Sequence, residues 1–304
     1  MAVIALDLGG TKLAAAIVGR RGKILRQNVT HLARRKGKQV CALMTSELNE
    51  LFAVARAKKI KIHGIGISVP GIYYPKTGKV WAPNIPGWDN FPLLNEIIAV
   101  SPRKIPVTID SDRACYISGE AWLGSARGCS DAIFLAVGTG IGAGILANGK
   151  ILRGANDIAG AIGWMALGRP WLPQYKSSGC FEYHASGAGL ANAAKSSHYR
   201  CAKEVFRAYA AGLPDATNVL NRAVQFWGMA AANLVSLFNP QKIIFGGGLF
   251  GPASRFLPQI RSEAKKWAQP VSICKVKFEL SRLGGAAGLF GAASLALRSG
   301  ENSA

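Results

Sequence analysis

The sequence predicts an α/β protein with two lobes, each built around a sheet. A strand, a glycine-rich turn and a returning strand occur twice, at residues 3–18 and 132–147, and apolar strands alternate with helical segments elsewhere. Hydrophobic residues make up 49% of the 304 positions, which is enough for a substantial core. A duplicated unit of this kind is expected to bind its ligand in a cleft between the lobes.

The elements of the first part of the chain follow from local patterns. The apolar strand Val3–Leu6 reaches glycines and returns as Leu13–Val18, and Lys23–His31 fits a third strand. Apolar residues at helical spacing, or in short runs ended by proline or glycine, indicate the other elements. These are helix Val40–Ala57, strands Ile62–Val69 and Val107–Ile109, and helix Ala114–Leu123.

The second part of the chain repeats the pattern with longer helices. Residues 157–187 are expected to be irregular, because prolines and glycines interrupt every periodicity there. The predicted elements are strands Ala132–Val137, Gly144–Ala147 and Lys242–Phe245, and helices Asn218–Phe238, Pro252–Ala268 and Ala287–Arg298.

The composition also narrows the function classes. The N-terminus lacks a basic lead-in and carries Asp7, so it does not read as a signal peptide. No apolar run of about 18 residues predicts a membrane span. The six cysteines are scattered, without CxxC or CxC spacing, which is typical of reduced thiols in a cytoplasmic protein.

The net charge of +21 is unusual, and twelve lysines and arginines fall between residues 19 and 61. Such an excess is compatible with a polyanion partner, such as nucleic acid or polyphosphate. No interleaved aromatic residues or recognition-helix pattern accompany the charge, so a solvated basic surface is the preferred interpretation and nucleic acid is not an expected partner.

The stretch DLGGTK, residues 7–12, is the first candidate for chemistry. A glycine turn between two strands exposes backbone N–H groups that can hold phosphate oxygens. Thr11 and Lys12 can donate to the same oxygens, and Asp7 can hold Mg²⁺ directly or through water. An ordinary glycine hairpin turn is the alternative.

The second hairpin strengthens the phosphate interpretation. Gly138, Thr139 and Gly140 occupy the equivalent position, so that two glycine turns can grip one polyphosphate tail. Neither turn has the spacing of a Walker loop or of GxGxxG. FGGGLF, with Gly247 and Gly248, is a third glycine turn that can accommodate a nucleoside, and LGGAAG at 283–288 is either a fourth turn or a close helix–helix contact.

The ordered set of motifs resembles the ROK family (repressors, open reading frames and kinases) of the actin–hexokinase superfold. The resemblance covers nearly the whole chain. It is carried by DLGGTK at 7–12, GISVPG at 66–71, APNIPGW at 82–88, DSD at 110–112, VGTGIGAGI at 137–145, GCFEYHASG at 179–187 and NLVSLFNPQKIIFGGG at 233–248.

The resemblance implies a two-lobed, actin-like ATPase (ribonuclease H-like) α/β fold with a mixed sheet in each lobe. The smaller N-terminal lobe is expected over residues 1–115, completed by a C-terminal helix at 289–304, and the larger lobe over 116–288. Repressor members carry an N-terminal helix-turn-helix domain, whereas the phosphate turn here begins at residue 7, which favours the kinase branch.

The resemblance further implies an ATP- and Mg²⁺-dependent kinase acting on a hexose or hexose derivative, at the 6-hydroxyl, as a homodimer. Asp112 matches the general base, a role that suits phosphoryl transfer because a carboxylate there orients the attacking hydroxyl. The alternative is that Asp112 only caps the following helix. The substrate-binding positions carried over are Gly71, Asn84, Ser111, Asp112, Trp164 and Glu182, and the nucleotide-binding positions are Asp7, Gly9, Gly10, Thr11, Lys12, Gly138, Thr139, Gly140, Gly247 and Gly248.

The sequence departs from the family pattern on the sugar side. The family reads AGEIGH followed by a cysteine cluster that binds zinc, whereas this chain reads AGAIGW, with Ala161 and Trp164 in place of the acid and the histidine. Only Cys180 remains of the cysteines, and Ser111 replaces an asparagine. A family-type zinc site is therefore not expected. A shifted sugar preference is expected, and Trp164 can stack on a sugar ring.

Two other functions remain open from the sequence. The altered sugar side is compatible with a non-catalytic sensor of a sugar or nucleotide. The high positive charge is compatible with a kinase that takes its phosphoryl group from polyphosphate.

Overall fold

The structure is a computed structural model that describes residues 1–193 and 199–301. The chain forms two compact units. The first comprises residues 1–127, 153–158 and 286–304, and the second comprises 128–152 and 159–285. The first unit extends past the lobe boundary predicted at residue 115.

The described residues contain twelve strands. They are β1 Ala2–Leu8, β2 Lys12–Gly19, β3 Ile24–His31, β4 Ile62–Val69, β5 Ile72–Tyr74, β6 Lys79–Trp81, β7 Val107–Ser111, β8 Ala132–Val137, β9 Ile141–Ala147, β10 Lys150–Ile151, β11 Lys242–Gly246 and β12 Lys277–Leu280. Eight of them correspond to the predicted apolar segments, and four short ones, β5, β6, β10 and β12, were not predicted.

The described residues also contain eleven α-helices, several of them short. They are α1 Lys38–Ala57, α2 Leu93–Val100, α3 Asp112–Leu123, α4 Tyr175–Ser178, α5 Cys180–Ala185, α6 Gly187–Ala193, α7 Ala202–Ala210, α8 Pro214–Phe238, α9 Leu257–Trp267, α10 Pro270–Lys275 and α11 Ala287–Glu301.

Each unit contains one five-stranded mixed sheet, and the two sheets share one topology. The strand order is β3-β2-β1-β4-β7 in the first unit and β10-β9-β8-β11-β12 in the second. The central hairpin, β1–β2 or β8–β9, is antiparallel in both sheets. The two strands that follow the first hairpin strand in the sheet order run parallel to it: β4 and β7 beside β1, and β11 and β12 beside β8. This repetition confirms the duplicated α/β unit that the two hairpins predict.

The core of each unit is made by its own strands and by the helices packed on them. In the first unit, residues such as Ile4, Leu6 and Leu48 are fully buried. In the second unit, Phe181, Trp227 and Phe245 are fully buried. The sheets therefore hold their strand ends, and the turns that follow them, in fixed positions.

Helix α11 packs against strands β1 and β4 and helix α3 in the first unit. Gly66, in the middle of β4, makes this approach possible, because a Cβ at this position would overlap the backbone of Ala292. Gly119 on α3 plays the same part, since its Cβ would lie 2.5 Å from the carbonyl oxygen of Ala287. The α3–α11 contact explains why helix α3 belongs to the first unit, although the predicted boundary at residue 115 divides it.

The structure differs from the predicted elements in a few places. The segment predicted as one helix over Pro252–Ala268 begins with a 3₁₀ turn at Pro252–Phe256 and continues as helix α9. The segment predicted to be irregular, 157–187, contains helices α4 and α5 and a 3₁₀ turn at Ile162–Trp164. Helices of four to six residues are too short to show a periodicity in the sequence.

No helix among the described residues combines the length and the apolar character needed to cross a bilayer. The six cysteines, all of which lie in the described ranges, form no disulfide.

Candidate active site

The first glycine turn joins β1 to β2 and spans only three residues. It is closed by a hydrogen bond of 2.9 Å that the Gly9 N–H donates to the Lys12 carbonyl oxygen. Gly10, Thr11 and Lys12 are exposed. The turn therefore leaves the residues that carry these backbone and side-chain donors accessible to solvent, and anion binding there stays a prediction.

Asp7 lies one residue before the end of β1, and its carboxylate faces helix α11. A Cβ at Gly288 would lie 2.5 Å from both Asp7 carboxylate oxygens, so only glycine leaves room there. Burial raises the pKa of Asp7 to about 6, against the opposing effects of Ser68 and Lys12. Gly288 is a site residue that sequence reasoning missed, because LGGAAG alone does not show that it faces an acid 281 positions away.

Asp112 is the first residue of helix α3, directly after β7. The helix cap is Ser111, whose side chain accepts a 3.3 Å hydrogen bond from the Ala114 N–H. The alternative that Asp112 serves as the N-cap is therefore wrong. One Asp112 carboxylate oxygen accepts from the Arg113 N–H at 2.7 Å and the other from the Tyr116 hydroxyl at 3.4 Å.

The environment of Asp112 favours the protonated carboxyl. Burial raises its pKa to about 6, and the nearby Asp7 adds to the increase, while Arg113 and the hydroxyl of Tyr116 oppose it. Desolvation thus raises the pKa of two acids in the same unit to about 6. A carboxylate with a pKa near 6 is charged at pH 7 and basic enough to accept a proton.

Asp110, at the end of β7, forms an ion pair with Arg153. Burial raises the pKa of Asp110, and Arg153 is the main opposing influence. Arg113 donates a 3.2 Å hydrogen bond to the Ile158 carbonyl oxygen. Two arginine contacts therefore hold the segment 153–158 beside the strand that leads to Asp112, and Arg153 was not a predicted site residue.

Asn84 lies close to the first glycine turn. A Cβ at Gly10 would be 3.8 Å from the Asn84 Cβ, and Asn84 itself is exposed. Gly71 packs on the chain just before this asparagine, where a Cβ would approach the backbone of Trp81 and come within 3.0 Å of the Ala82 Cα. The predicted sugar-binding asparagine and the predicted phosphate turn are thus neighbours in the first unit.

The second unit contains its own glycine turn, between β8 and β9. The Gly138 N–H donates to the Gly140 carbonyl oxygen at 2.9 Å, and Thr139 at the tip is exposed. Gly247 lies next to this turn at a φ of 90°, and a Cβ there would be 2.8 Å from the Val137 nitrogen. Gly248 approaches the turn as well, since its nitrogen would be 3.9 Å from a Cβ at Gly138.

Glu182, on helix α5, lies against both the second glycine turn and the AGAIGW segment. Its Oε2 accepts a 2.6 Å hydrogen bond from the Ile141 N–H. A Cβ at Gly163 would be 3.0 Å from the Glu182 Cβ. Burial raises the pKa of Glu182, and the hydrogen bond from Ile141 opposes this. Trp164 follows Gly163 and is 56% exposed.

An aromatic cluster occupies the region where the family pattern has its zinc ligands. The Tyr175 hydroxyl and the His184 Nε2 are 2.6 Å apart, and the His184 ring stacks on Phe226 with centroids 4.6 Å apart. Burial and the nearby Arg222 lower the pKa of His184 to about 4, so the ring is neutral at pH 7. Within residues 1–193 and 199–301, no group of three or more His, Cys, Asp or Glu side chains is arranged to hold a metal ion.

The arrangement suits handling of a phosphoryl group. Each unit places a glycine turn at the tip of its central hairpin, and the first unit adds two half-buried carboxylates, Asp7 near the end of β1 and Asp112 directly after β7. Positioned donors and a carboxylate that orients an attacking hydroxyl are the main requirements for phosphoryl transfer. With a mixed five-stranded sheet of one topology in each unit, these features define an α/β protein of the actin-like ATPase class.

Comparison with known proteins identifies the family. The sequence pattern described as "ROK family" matches residues 3–299, and the chain belongs to the ROK family. It is 30% identical to a glucokinase from Halalkalibacterium halodurans. The alignment is 322 positions long and covers 99% of this chain and 96% of the relative.

Solved structures agree with this assignment. A ROK hexokinase from Thermus thermophilus superposes with a TM-score of 0.82 at 29% identity, covering 99% of this chain and 100% of that one. A ROK family glucokinase from Streptomyces griseus, solved in complex with glucose and AMPPNP, has a TM-score of 0.80 at 26% identity, covering 98% of this chain and 100% of that one.

Proposed function

We propose that this protein phosphorylates a hexose or hexose derivative at its 6-hydroxyl, with ATP as donor and Asp112 as general base. It is an ATP-dependent sugar kinase, because the family assignment and the kinase relatives cover nearly its full length. The single observation that carries the catalytic assignment is the position of the Asp112 carboxylate, which is half-buried directly after β7, where desolvation raises its pKa to about 6, a value that suits a base.

The first unit supplies the reacting groups in this proposal. Asp112 takes the proton of the sugar hydroxyl as that oxygen attacks the γ-phosphorus, and the bond from phosphorus to the ADP oxygen breaks. Asn84 can donate to one sugar hydroxyl and accept from another. The turn at 9–12 binds phosphate oxygens through its N–H groups and Lys12.

The residues present also fit a magnesium ion bound with the nucleotide. Asp7 would hold Mg²⁺ directly or through water, as carboxylates do in nucleotide sites. The ion supplies charge neutralisation of the phosphates. A cytoplasmic location, a homodimer and the absence of zinc stay predictions.

The second unit contributes binding groups. Its glycine turn at 138–140 and the adjacent Gly247 and Gly248 offer backbone to phosphate and nucleoside, and Glu182 can accept from sugar hydroxyls. Ala161 removes one carboxylate that the family pattern contains, and the exposed Trp164 presents an aromatic face. These replacements support a sugar other than free glucose as the preferred substrate.

A sugar-by-donor activity screen tests the proposal. Purified protein with MgATP is offered glucose, mannose, N-acetylhexosamines, amino sugars and glycosides, with Asp112→Asn as the matched inactive control. NMR of the product locates the phosphate on the sugar. Turnover that survives Asp112→Asn undiminished, or a product phosphorylated away from the 6-position, contradicts the corresponding part of the proposal.

A non-catalytic sensor is the second candidate, favoured by the loss of acid and histidine at Ala161 and Trp164. A sensor binds sugar and nucleotide without forming ADP. Isothermal titration with AMPPNP and each sugar, beside the turnover assay, separates the two functions. Sugar and nucleotide binding without any turnover supports the sensor.

A further inference from the structure

Glu182 holds one end of the second glycine turn. Its Oε2 accepts the hydrogen bond from the N–H of Ile141, the residue that follows Gly140 and begins β9. Among the described residues, Ile141 is the one donor to this carboxylate. Helix α5, which carries Glu182, is thereby tied directly to the backbone of the turn.

The same segment holds the other end of the turn. The Gly187 N–H, at the start of helix α6, donates a 2.8 Å hydrogen bond to the Gly138 carbonyl oxygen. The turn at 138–141 is thus bracketed by one acceptor and one donor that are only five residues apart in sequence. A shift of the α5–α6 segment therefore displaces both ends of the turn together.

Two glycines leave room for the Glu182 side chain. A Cβ at Gly140 would lie 2.7 Å from Glu182 Oε2, and a Cβ at Gly163 would lie 3.0 Å from the Glu182 Cβ. Neither glycine has a positive φ, so backbone conformation does not require glycine at these positions. Glycine is required because the Glu182 side chain approaches the backbone closely at both positions.

We propose that Glu182 is a positioning residue for the phosphate-binding turn at 138–141, and that it links this turn to sugar binding. The inference rests on the proposed function, in which Glu182 also accepts from sugar hydroxyls. With Oε2 committed to Ile141, Oε1 is the oxygen for the sugar. A bound sugar then fixes the carboxylate, and the fixed carboxylate orders the turn for the nucleotide.

The test measures nucleotide binding in the absence of sugar, where a pure sugar ligand has no influence. Binding of AMPPNP with Mg²⁺ is titrated for Glu182→Ala and Glu182→Gln. The alanine variant leaves the Ile141 N–H unpaired, so we expect nucleotide affinity to fall about tenfold. The glutamine variant keeps an acceptor oxygen, so its nucleotide affinity should stay within about threefold while sugar affinity falls.

Two control variants separate a positioning role of Glu182 from the effect of losing a sugar contact or of losing any carboxylate. Asn84→Ala removes a proposed sugar contact in the first unit and should weaken sugar binding only. Glu204→Ala removes another carboxylate of the second unit, which lies on helix α7 and accepts from the N–H of Arg200, just before that helix. This variant should change neither affinity. Nucleotide affinity that is unchanged in Glu182→Ala overturns the inference.

Hydrogen exchange provides a readout that does not depend on catalysis. The Ile141 amide should exchange at least about tenfold faster in Glu182→Ala than in Glu182→Gln, because only the glutamine retains an acceptor. Equal exchange in the two variants shows that Glu182 does not hold the turn and overturns the inference. Absence of nucleotide binding in the unmodified protein instead contradicts the proposed function, and the exchange result still tests the positioning role.

Discussion

At the scale of single residues, Asp7 near the end of β1 and Asp112 directly after β7 are unusual because desolvation determines their pKa values. Asp7 and Asp112 each have a pKa raised to about 6. A protein of such positive net charge would by itself favour the ionised carboxylates. Desolvation nevertheless has the larger effect on both pKa values, and shifts of this kind are common among groups at functional sites.

The first prediction concerns the pH dependence of activity. The base must be unprotonated, so kcat/KM should be level above about pH 7 and fall up to about tenfold per pH unit below about pH 6. Because Asp7 titrates in the same range, the acid limb belongs to the pair. Steady-state rates from pH 4.5 to 9, roughly the range that brackets both groups, provide the measurement. A kcat/KM that stays level down to about pH 5 contradicts the prediction.

The second prediction concerns stability, and its sign follows from the same shift. The folded-state pKa of Asp112, about 6, lies above its ordinary value of 3.8, so native proton binding stabilises the fold at low pH. That contribution is lost as the pH rises from about 4 to 6. Asp112→Asn removes the buried charge and should therefore raise the melting temperature by a few degrees at pH 7 to 8.

The control for this prediction is to compare the melting temperatures of Asp112→Asn and the unmodified protein at low pH as well. Near pH 3.5 both the acid and the amide are neutral in the fold, so the difference in melting temperature should shrink. The same variant should lose kcat by roughly 10²–10⁴ at pH 8. A variant that loses activity and also melts lower at pH 8 argues that Asp112 is structurally required.

At the scale of elements, helix α11 is held by a close approach to strand β4. Gly66 and Gly119 remove the side chains that would otherwise separate helix from strand and helix from helix. The same helix brings Gly288 against the Asp7 carboxylate, so packing and site geometry depend on one contact surface.

The third prediction follows from this packing. Gly66→Ala should lower the free energy of unfolding by about 1–3 kcal/mol, because its methyl group overlaps the Ala292 backbone and forces α11 outward. Gly285→Ala is the matched control: no heavy atom lies within 4 Å of the added carbon. Urea unfolding of both variants provides the comparison, and equal midpoints exclude the proposed clash.

The elements also show what the sequence can predict. The two central hairpins and the long helices α1 and α8 are predictable because their apolar residues repeat over many positions. Helices α4 and α5 are not predictable, because four and six residues make fewer than two turns and leave no repeat of the apolar spacing to detect. The segment that forms helix α5 and carries Glu182 is therefore noticed through the GCFE motif and not through periodicity.

Site residues follow the same division. Asp7, Asp112 and Glu182 are found in the sequence because they lie within motifs. Gly288 and Arg153 are not, since their importance comes from partners that are distant along the chain, Asp7 and Asp110. Only the fold brings such pairs together.

At the scale of the whole molecule, the net charge of +21 on 304 residues has consequences that no single contact explains. Repulsion among the positive charges opposes the compact state. The same positive charge attracts any polyanion. A kinase that uses polyphosphate as donor and a basic protein that merely binds polyphosphate both show affinity for the polymer. Affinity alone therefore cannot assign a donor role.

The fourth prediction separates these cases by salt. Raising the salt concentration from roughly 50 to 200 mM screens the repulsion, and it reduces the free energy that polyphosphate binding gains from releasing counterions. We therefore expect a higher melting temperature and more than tenfold weaker binding of polyphosphate. Sugar phosphorylation from ATP should change far less, because its groups act at short range within the site. If polyphosphate supports sugar turnover at 200 mM salt at a rate comparable to ATP, the charge serves a donor site. If turnover from polyphosphate disappears together with binding while ATP turnover persists, the polymer is held only by the basic surface.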